Sequence, residues 1–477
     1  MKQITLKMSS TVNPSPKAVP DDRVGFVLRD GTSLRDLIDV EKREVSLRVL
    51  TDPELYQLEL ERLFARAWIG VAHESEIPNP GDFVLRSMGE DSVIVTRGSD
   101  GRIDVLLNVC SHRGMQVCRT DSGTATSFRC PYHGWVFGQD GRYLGAPFER
   151  EMYGDTLDKP ALGLSRARVG TYAGIVFATW DAGAPSLEDY LGDIKWYLDV
   201  MFRRTDAGLE VVGLPQRFIV RANWKCASEQ WAGDGYHGAT LHRSIEELGL
   251  GKSASLEVLV GINVSTPQGH GLRCINLKKV ITALFGADAG AKSIRDKLRL
   301  VPPSGLTPEM VDQVERHLDE EQLRAMADTP PGVGQLFPNF FVWNIPGFAS
   351  DGGPPVGFGR FHTTIPRGPE CFEMISWTLV EKDAPDALKE RARMISTINM
   401  GVSGFVEQDD AEAWPSLQRS AKGVMGRQKT LKYGSLLGVH KPADWGGPGL
   451  VYDGMSKDDN QWNWWLRYRE FMTGRAW

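Results

Sequence analysis

Cysteine is scarce in this chain, with six in 477 residues. That excludes a disulfide-built scaffold. Four of the six, Cys118, Cys226, Cys274 and Cys371, show no paired spacing and read as small buried hydrophobes, a usage that fits a reducing cytosol. Long apolar runs are missing too. No stretch approaches the roughly 20 residues that cross a bilayer as a helix, so no membrane is expected. No apolar segment of signal-peptide type follows Met1, and residues 9–22 read as a polar, proline-containing arm; a cytoplasmic location is expected. There is no basic block and the net charge is −6, which argues against nucleic acid as a partner. No Gly-x-Gly-x-x-Gly stands between a strand and a helix, so no flavin or nicotinamide site is expected within the chain. There is no internal repeat.

What remains is ordinary globular composition, 41% hydrophobic and 24% charged, and enough length for two or more domains. Two short clusters stand out: Cys110-Ser111-His112-Arg113-Gly114 and Cys130-Pro131-Tyr132-His133-Gly134. They read Cys-x-His, a gap of 17 residues, then Cys-x-x-His. Two thiolates and two imidazoles are the ligand set of a Rieske [2Fe–2S] centre, in which two His replace two Cys on one iron. Structural zinc also takes Cys₂His₂. Zinc patterns, however, usually pair Cys with Cys and His with His, whereas each loop here mixes them. Each loop also ends in a glycine, which lets backbone approach a cluster closely.

Around these loops the texture is β. Short strands are expected at 82–86, 92–96, 103–107, 134–137, 141–144 and 174–180, with Asp140-Gly141 a hairpin signal. Before them, 33–66 reads as helical from the spacing of Tyr56, Leu60, Leu63 and Phe64. After them, helices are expected at 187–202, 307–326 and 384–397, with a further helical stretch to about 414. Strands are expected at 216–221, 255–264, 272–279, 338–345, 356–365 and 371–381. Strands and helices grouped in this way suggest an α+β fold.

A second constellation lies in 223–242. It begins Asn223-Trp224-Lys225 and contains Asp234-x-x-His237-x-x-x-x-His242. His237 and His242 can be two members of a 2-His-1-carboxylate triad, which binds non-haem Fe(II) and leaves positions open. On an ideal helix they would stand about 140° apart, so a bulge or break at Gly238 is expected. Asp234 and His237, three apart, share a helix face. A carboxylate from far along the chain would complete the triad, and 401–410 offers Glu407, Asp409 and Asp410.

Both motifs, their order and their separation resemble the catalytic α subunit of Rieske ring-hydroxylating oxygenases, over nearly the whole chain after about residue 40. Respiratory-type Rieske domains carry an extra Cys in each loop; Met115 and Tyr132 stand there instead, as in the oxygenase type. The resemblance implies an all-β Rieske domain over 67–187, an antiparallel-sheet, helix-grip-type catalytic domain over 188–477, and an N-terminal arm and helix, 1–66, packed on the latter. It implies Cys110, His112, Cys130 and His133 as cluster ligands and His237, His242 and Asp410 as iron ligands, with one residue of register separating Asp410 from Asp409. It places Asp234 as a bridge to a cluster histidine, matching His133, of a neighbouring subunit, and Gln230 where the family has Asn or Gln near the iron. NADH-derived electrons would arrive through a separate reductase and ferredoxin. A small β subunit in an α₃β₃ assembly is implied, and the activity is O₂-dependent dihydroxylation of an aromatic ring to a cis-dihydrodiol.

The candidate pocket segments 231–236, 337–343 and 398–405 are mostly apolar, which favours an aromatic and, by resemblance, polycyclic hydrocarbon. An aromatic carboxylate such as phthalate would want an arginine, and Arg221, Arg243 and Arg360 are the candidates. Demethylation by a Rieske monooxygenase is a further alternative.

Overall fold

The computed structural model describes residues 26–249, 261–347, 356–401, 403–435, 438, 442 and 444–477. Ser33, bridged to Val27, forms a capping box with Asp36 and starts the short helix Leu34–Leu37. The expected single helix over 33–66 is not formed. Glu44–Ser46 pairs with Ile38–Asp39 and with Thr430–Lys432 in a small sheet. Helix resumes at Pro53–Glu59, capped by Asp52, and continues as a π-turn at Leu60–Phe64. The helical spacing that suggested the longer element belongs to this second half alone.

The β texture of the following region is real. Asp82–Met88, Asp91–Arg97, Ile103–Leu107 and Ser122–Thr124 form one antiparallel sheet, and Ser127–Arg129, Val136–Gly138 and Tyr143–Gly145 a second. A third joins Ile69–His73, Ile175–Thr179 and Arg168–Tyr172. Alternation along the first sheet decides which core each residue serves. Val84, Val93, Val95 and Val105 enter the large core shared with the C-terminal half. Phe83, Ile94 and Leu106 point the other way, into a smaller core with Cys110, Cys130, Trp135 and Phe137. In the third sheet Ile69–His73 and Ile175–Thr179 are buried along their whole length, as strands covered on two faces are. At Gly70 a Cβ would come within 2.4 Å of the Phe340 ring, so glycine sets how closely the two halves approach.

The C-terminal half is built on a nine-stranded antiparallel sheet. Its order is Leu209–Val211, Phe372–Glu381, Gly359–Pro366, Phe340–Trp343, Pro331–Leu336, Gly271–Ile275, Gly261–Ser265 and Leu450–Asp453, with Gln216–Val220 also on Phe372–Glu381. Of the strand expected at 255–264, residues 255–260 lie outside the described residues. The strand expected at 272–279 stops at Ile275, where Asn276 caps the helix Leu277–Phe285. Gly192, at φ 53°, splits the helix expected at 187–202 into Leu187–Leu191 and Ile194–Phe202. The helix expected at 307–326 is also divided: Val311–His317 ends before Asp319, which caps Glu320–Asp328 through a capping box with Gln322. Asp386–Met400 and Glu407–Lys422 are two helices, and Asp459–Met472 was not anticipated. Among the described residues, no helix is long and apolar enough to cross a membrane.

Candidate metal centres

The two Cys–His loops are near copies. In each, the glycine sits at φ +75° and its N–H closes onto the cysteine carbonyl, at 2.9 Å for Gly114 to Cys110 and 3.0 Å for Gly134 to Cys130. In each, the cysteine N–H returns to a carbonyl five residues on, Met115 at 2.8 Å and Trp135 at 2.7 Å. Only a left-handed glycine makes this turn without strain. The side chain of Asn108 ties the first loop down, accepting from the Val117 and Cys118 N–H groups at 3.0 and 2.8 Å. The outcome is two buried thiols beneath two half-buried imidazoles, whose ring centroids lie 4.6 Å apart. Burial, and then the neighbouring Cys130, push the Cys110 thiol up. Deprotonated together, the two thiols therefore require a cation between them.

The second centre begins at the helix Trp224–Gly233. Asn223 caps it, accepting from Lys225 N–H at 3.1 Å. Glu59 then accepts from Trp224 Nε1 at 2.8 Å, Lys225 Nζ at 2.6 Å and the Tyr468 hydroxyl at 2.6 Å. This is why Asn-Trp-Lys opens the segment: it anchors the helix to two distant elements in a fully buried charge cluster. The break allowing both histidines to converge comes earlier than expected. It lies at Asp234-Gly235, not Gly238. Asp234 leaves the helix at ψ 97°, and its Oδ1 takes the N–H groups of Tyr236 and His237 at 2.9 and 3.2 Å, so Asp234 and His237 do not share a helix face. His237–Ala239 and Leu241–Arg243 then form two 3₁₀ turns.

Three acids near 407–410 face three ways. Asp410 presents Oδ1 to His237 Nε2 at 3.7 Å and Oδ2 to His242 Nε2 at 3.5 Å. Asp409 stands behind His242, with Oδ2 3.4 Å from Nδ1, and also accepts from Ser244 Oγ at 3.0 Å. Glu407 turns inward to 3.8 Å from His362 Nδ1, and burial, with Asp410 nearby, pushes it up to about 8. Asp234 Oδ2 lies 3.3 Å from His237 Nδ1. Burial opposes charge on His237, but Asp234 and Asp410 outweigh it and hold the imidazole above its ordinary pKa. Each histidine thus has a carboxylate behind it and Nε2 turned toward Asp410, the arrangement that fixes a metal-binding tautomer.

Gln230 completes the group. The Trp414 indole N–H donates to its Oε1 at 2.5 Å, and since indole only donates, the amide NH₂ must face the other way. It reaches Asp410 Oδ1 at 2.5 Å and His237 Nε2 at 3.3 Å. Among the described residues, His237, His242 and Asp410 are the group of three whose ligand atoms all lie within 4.8 Å of one another. The Cys–His quartet is not such a group, which fits a cluster of two irons better than a single zinc ion.

Residues 67–163 match the Rieske [2Fe-2S] domain, and residues 187–438 match the catalytic domain of the ring hydroxylating alpha subunit. The chain belongs to the ring-hydroxylating alpha-subunit family. It is 36% identical to the N,N-dimethyl phenylurea N-demethylase subunit alpha of Sphingobium sp., over 92% of this chain and 95% of that one. It is 36% identical to the biphenyl dioxygenase subunit alpha of Paraburkholderia xenovorans, over 84% of each. The structure of naphthalene 1,2-dioxygenase from Rhodococcus sp. bound to indole superposes with a TM-score of 0.83 at 37% identity, covering 92% of this chain and 96% of that one. As a ring-hydroxylating alpha subunit the protein is an oxidoreductase of the dioxygenase class, with a Rieske [2Fe–2S] cluster and a mononuclear iron as cofactors.

Within this ring-hydroxylating subunit, none of the three arginines weighed for a substrate carboxylate offers a free buried donor. Arg360 is fully buried and spends its donors on His362, Ser396, Gln216 and the Met400 carbonyl. Arg243 pairs with Glu247 on the surface and Arg221 is exposed. Sequence reasoning missed Glu59, Trp414 and Arg273. Arg273 is half-buried, and its Nη1 donates to the Asp234 carbonyl. No local signal marks these three, because each meets its partner across a long stretch of chain.

Proposed function

We propose that this alpha subunit is the terminal oxygenase component that dihydroxylates an aromatic hydrocarbon ring to a cis-dihydrodiol. The net reaction joins arene, O₂, two electrons and two protons, forming two C–O bonds on one ring face. The observation that carries the reading is the convergence of His237, His242 and Asp410 on one point in a chain that also holds the Cys–His loops. Bound at these two places, a ferrous ion supplies the O₂ chemistry and a Rieske cluster supplies single electrons. Cys110, His112, Cys130 and His133 hold the cluster; His237, His242 and Asp410 hold the iron. Asp409 and Asp234 fix the two imidazoles from behind, and Gln230, locked by Trp414, orients Asp410. The Asp234 side chain is 26% exposed, so beyond its contacts to His237 it can also meet His133 of a neighbouring copy, which would couple the two centres across a subunit boundary. The partners this requires are a ferredoxin, an NADH-dependent reductase and a small β subunit. Residues 67–187 form the cluster domain and 188–477 the catalytic one, with 26–66 packed on it; of the N-terminal arm and helix expected at 1–66, residues 1–25 lie outside the described residues.

The lack of a free buried donor on Arg221, Arg243 and Arg360 favours a hydrocarbon over an aromatic acid such as phthalate; the polycyclic kind rests on the family resemblance. N-demethylation is the second reading, because the Sphingobium relative is named for it. The first test is iron and acid-labile sulfide in protein purified without oxygen, wild type beside His237→Ala. We expect about three irons to two sulfides per chain, falling to about two irons in the variant with the red-brown colour kept. Equal iron and sulfide in both, after ferrous iron has been offered, would remove the oxygenase reading. Turnover with naphthalene and with an N,N-dimethyl arylurea then separates the diol from the dealkylated product.

A further inference from the structure

The two cluster histidines are not equivalent in their surroundings. His112 lies flat on Trp135, with centroids 4.6 Å apart and planes 5° from parallel. Its Nδ1 is buried with no hydrogen-bond partner, so this nitrogen is the one available to a bound cluster. The opposite nitrogen, Nε2, meets the Tyr153 hydroxyl at 3.3 Å, the long end of the hydrogen-bonding range. Stacking sets the plane of the ring, and the hydroxyl sets its rotation within that plane. His133 has neither support. Its ring lies 3.8 Å from that of Tyr132, which is 60% exposed, and among the described residues no hydrogen bond reaches it. Tyr153 itself is firmly placed. It ends the helix Glu149–Tyr153, closed by Gly154 at φ 56°, and the Tyr143 hydroxyl donates to Glu149 at 2.9 Å.

We propose that Tyr153 is a positioning residue that tunes the Rieske cluster through His112. This rests on the assignment of His112 as a ligand. With Nδ1 on iron, the one remaining ring proton sits on Nε2, so Nε2–H donates and the tyrosine oxygen accepts. An acceptor on that proton makes the imidazole a stronger electron donor, which favours the ferric state. The chain thereby dedicates His112 to setting the potential and leaves His133 open to a neighbour.

The test is the midpoint potential of the loaded oxygenase, titrated by visible circular dichroism. Tyr153→Phe removes the hydroxyl and keeps the ring. The redox equilibrium is expected to move toward the reduced cluster by roughly threefold to tenfold, tenfold being 59 mV for one electron. Tyr172→Phe, whose hydroxyl serves Asp199 in the larger core, leaves the potential where it was. An unmoved potential in Tyr153→Phe, or equal shifts in both variants, overturns the proposal. Should Tyr153→Phe fail to load its cluster, 3,5-difluorotyrosine at 153, titrated at a pH low enough to keep its more acidic phenol protonated, keeps ring and hydroxyl while weakening the acceptor; it shifts the potential in the same direction, and no shift overturns the proposal. His112→Ala checks the underlying assignment separately: a cluster that assembles without His112 removes the ligand reading, whatever Tyr153 does.

Discussion

The cluster loops and the iron site solve the same problem in opposite ways. The four side chains we propose for the cluster come from one stretch, 110–133, in two nearly identical glycine-closed turns resting on their own small core. The iron group draws on a helix end, two 3₁₀ turns and a helix about 170 residues away in the chain. It is held by a buried charge cluster and a fixed amide that are just as scattered. Local construction makes the first centre insensitive to distant packing. Long-range construction ties the second to the whole C-terminal core.

Glu59→Ala should break this contrast most visibly. Removing one partner from a fully buried pair leaves Lys225 uncompensated and should cost about 3–5 kcal/mol. Denaturant unfolding would measure the loss, and the iron should leave before the cluster colour fades. If both go together, the two regions unfold as one unit. Gln230→Leu should act only at the second centre, weakening iron binding about 10-fold to 100-fold, as read by ferrous titration, with the cluster spectrum unchanged. The smallest effects should come from the loop glycines. Gly114→Ala meets nothing within 4 Å and should cost the left-handed strain alone, about 1–2 kcal/mol. Gly134→Ala would also press on Pro147, 2.7 Å away, and should lose more sulfide per chain on mild heating.

The same contrast explains what the sequence could reveal. The Cys–His quartet stands out in the sequence because its residues lie within one short stretch and its glycines mark the turns. The His237–His242 pair was legible as a pair, but its local geometry was not. The break falls at Asp234 because that side chain competes for the N–H groups of Tyr236 and His237, a choice that spacing alone does not disclose. Asp410 was separable from Asp409 only through family resemblance; in the fold they face opposite nitrogens of His242. Pro331–Leu336 is not among the expected strands, since a proline and two glycines carry little strand propensity. Yet a Cβ on Gly334 would fall 2.2 Å from the Gly271 carbonyl, so close strand contact is what requires glycine there. Glu59 and Trp414 carry no sequence signature, since their roles exist only once distant segments meet.

The sheet of Asp82–Met88, Asp91–Arg97 and Ile103–Leu107 has a consequence for anyone exchanging parts between relatives. Its valines belong to the large core and their immediate neighbours to the cluster core, so the seam between the halves runs through the plane of a sheet and not along a linker. A chimera cut on either side of the whole β region would tear the large core open. One that keeps these strands and transplants the segment from 108 to 164 would carry the cluster, its aromatic wall and Tyr153 as a single cassette.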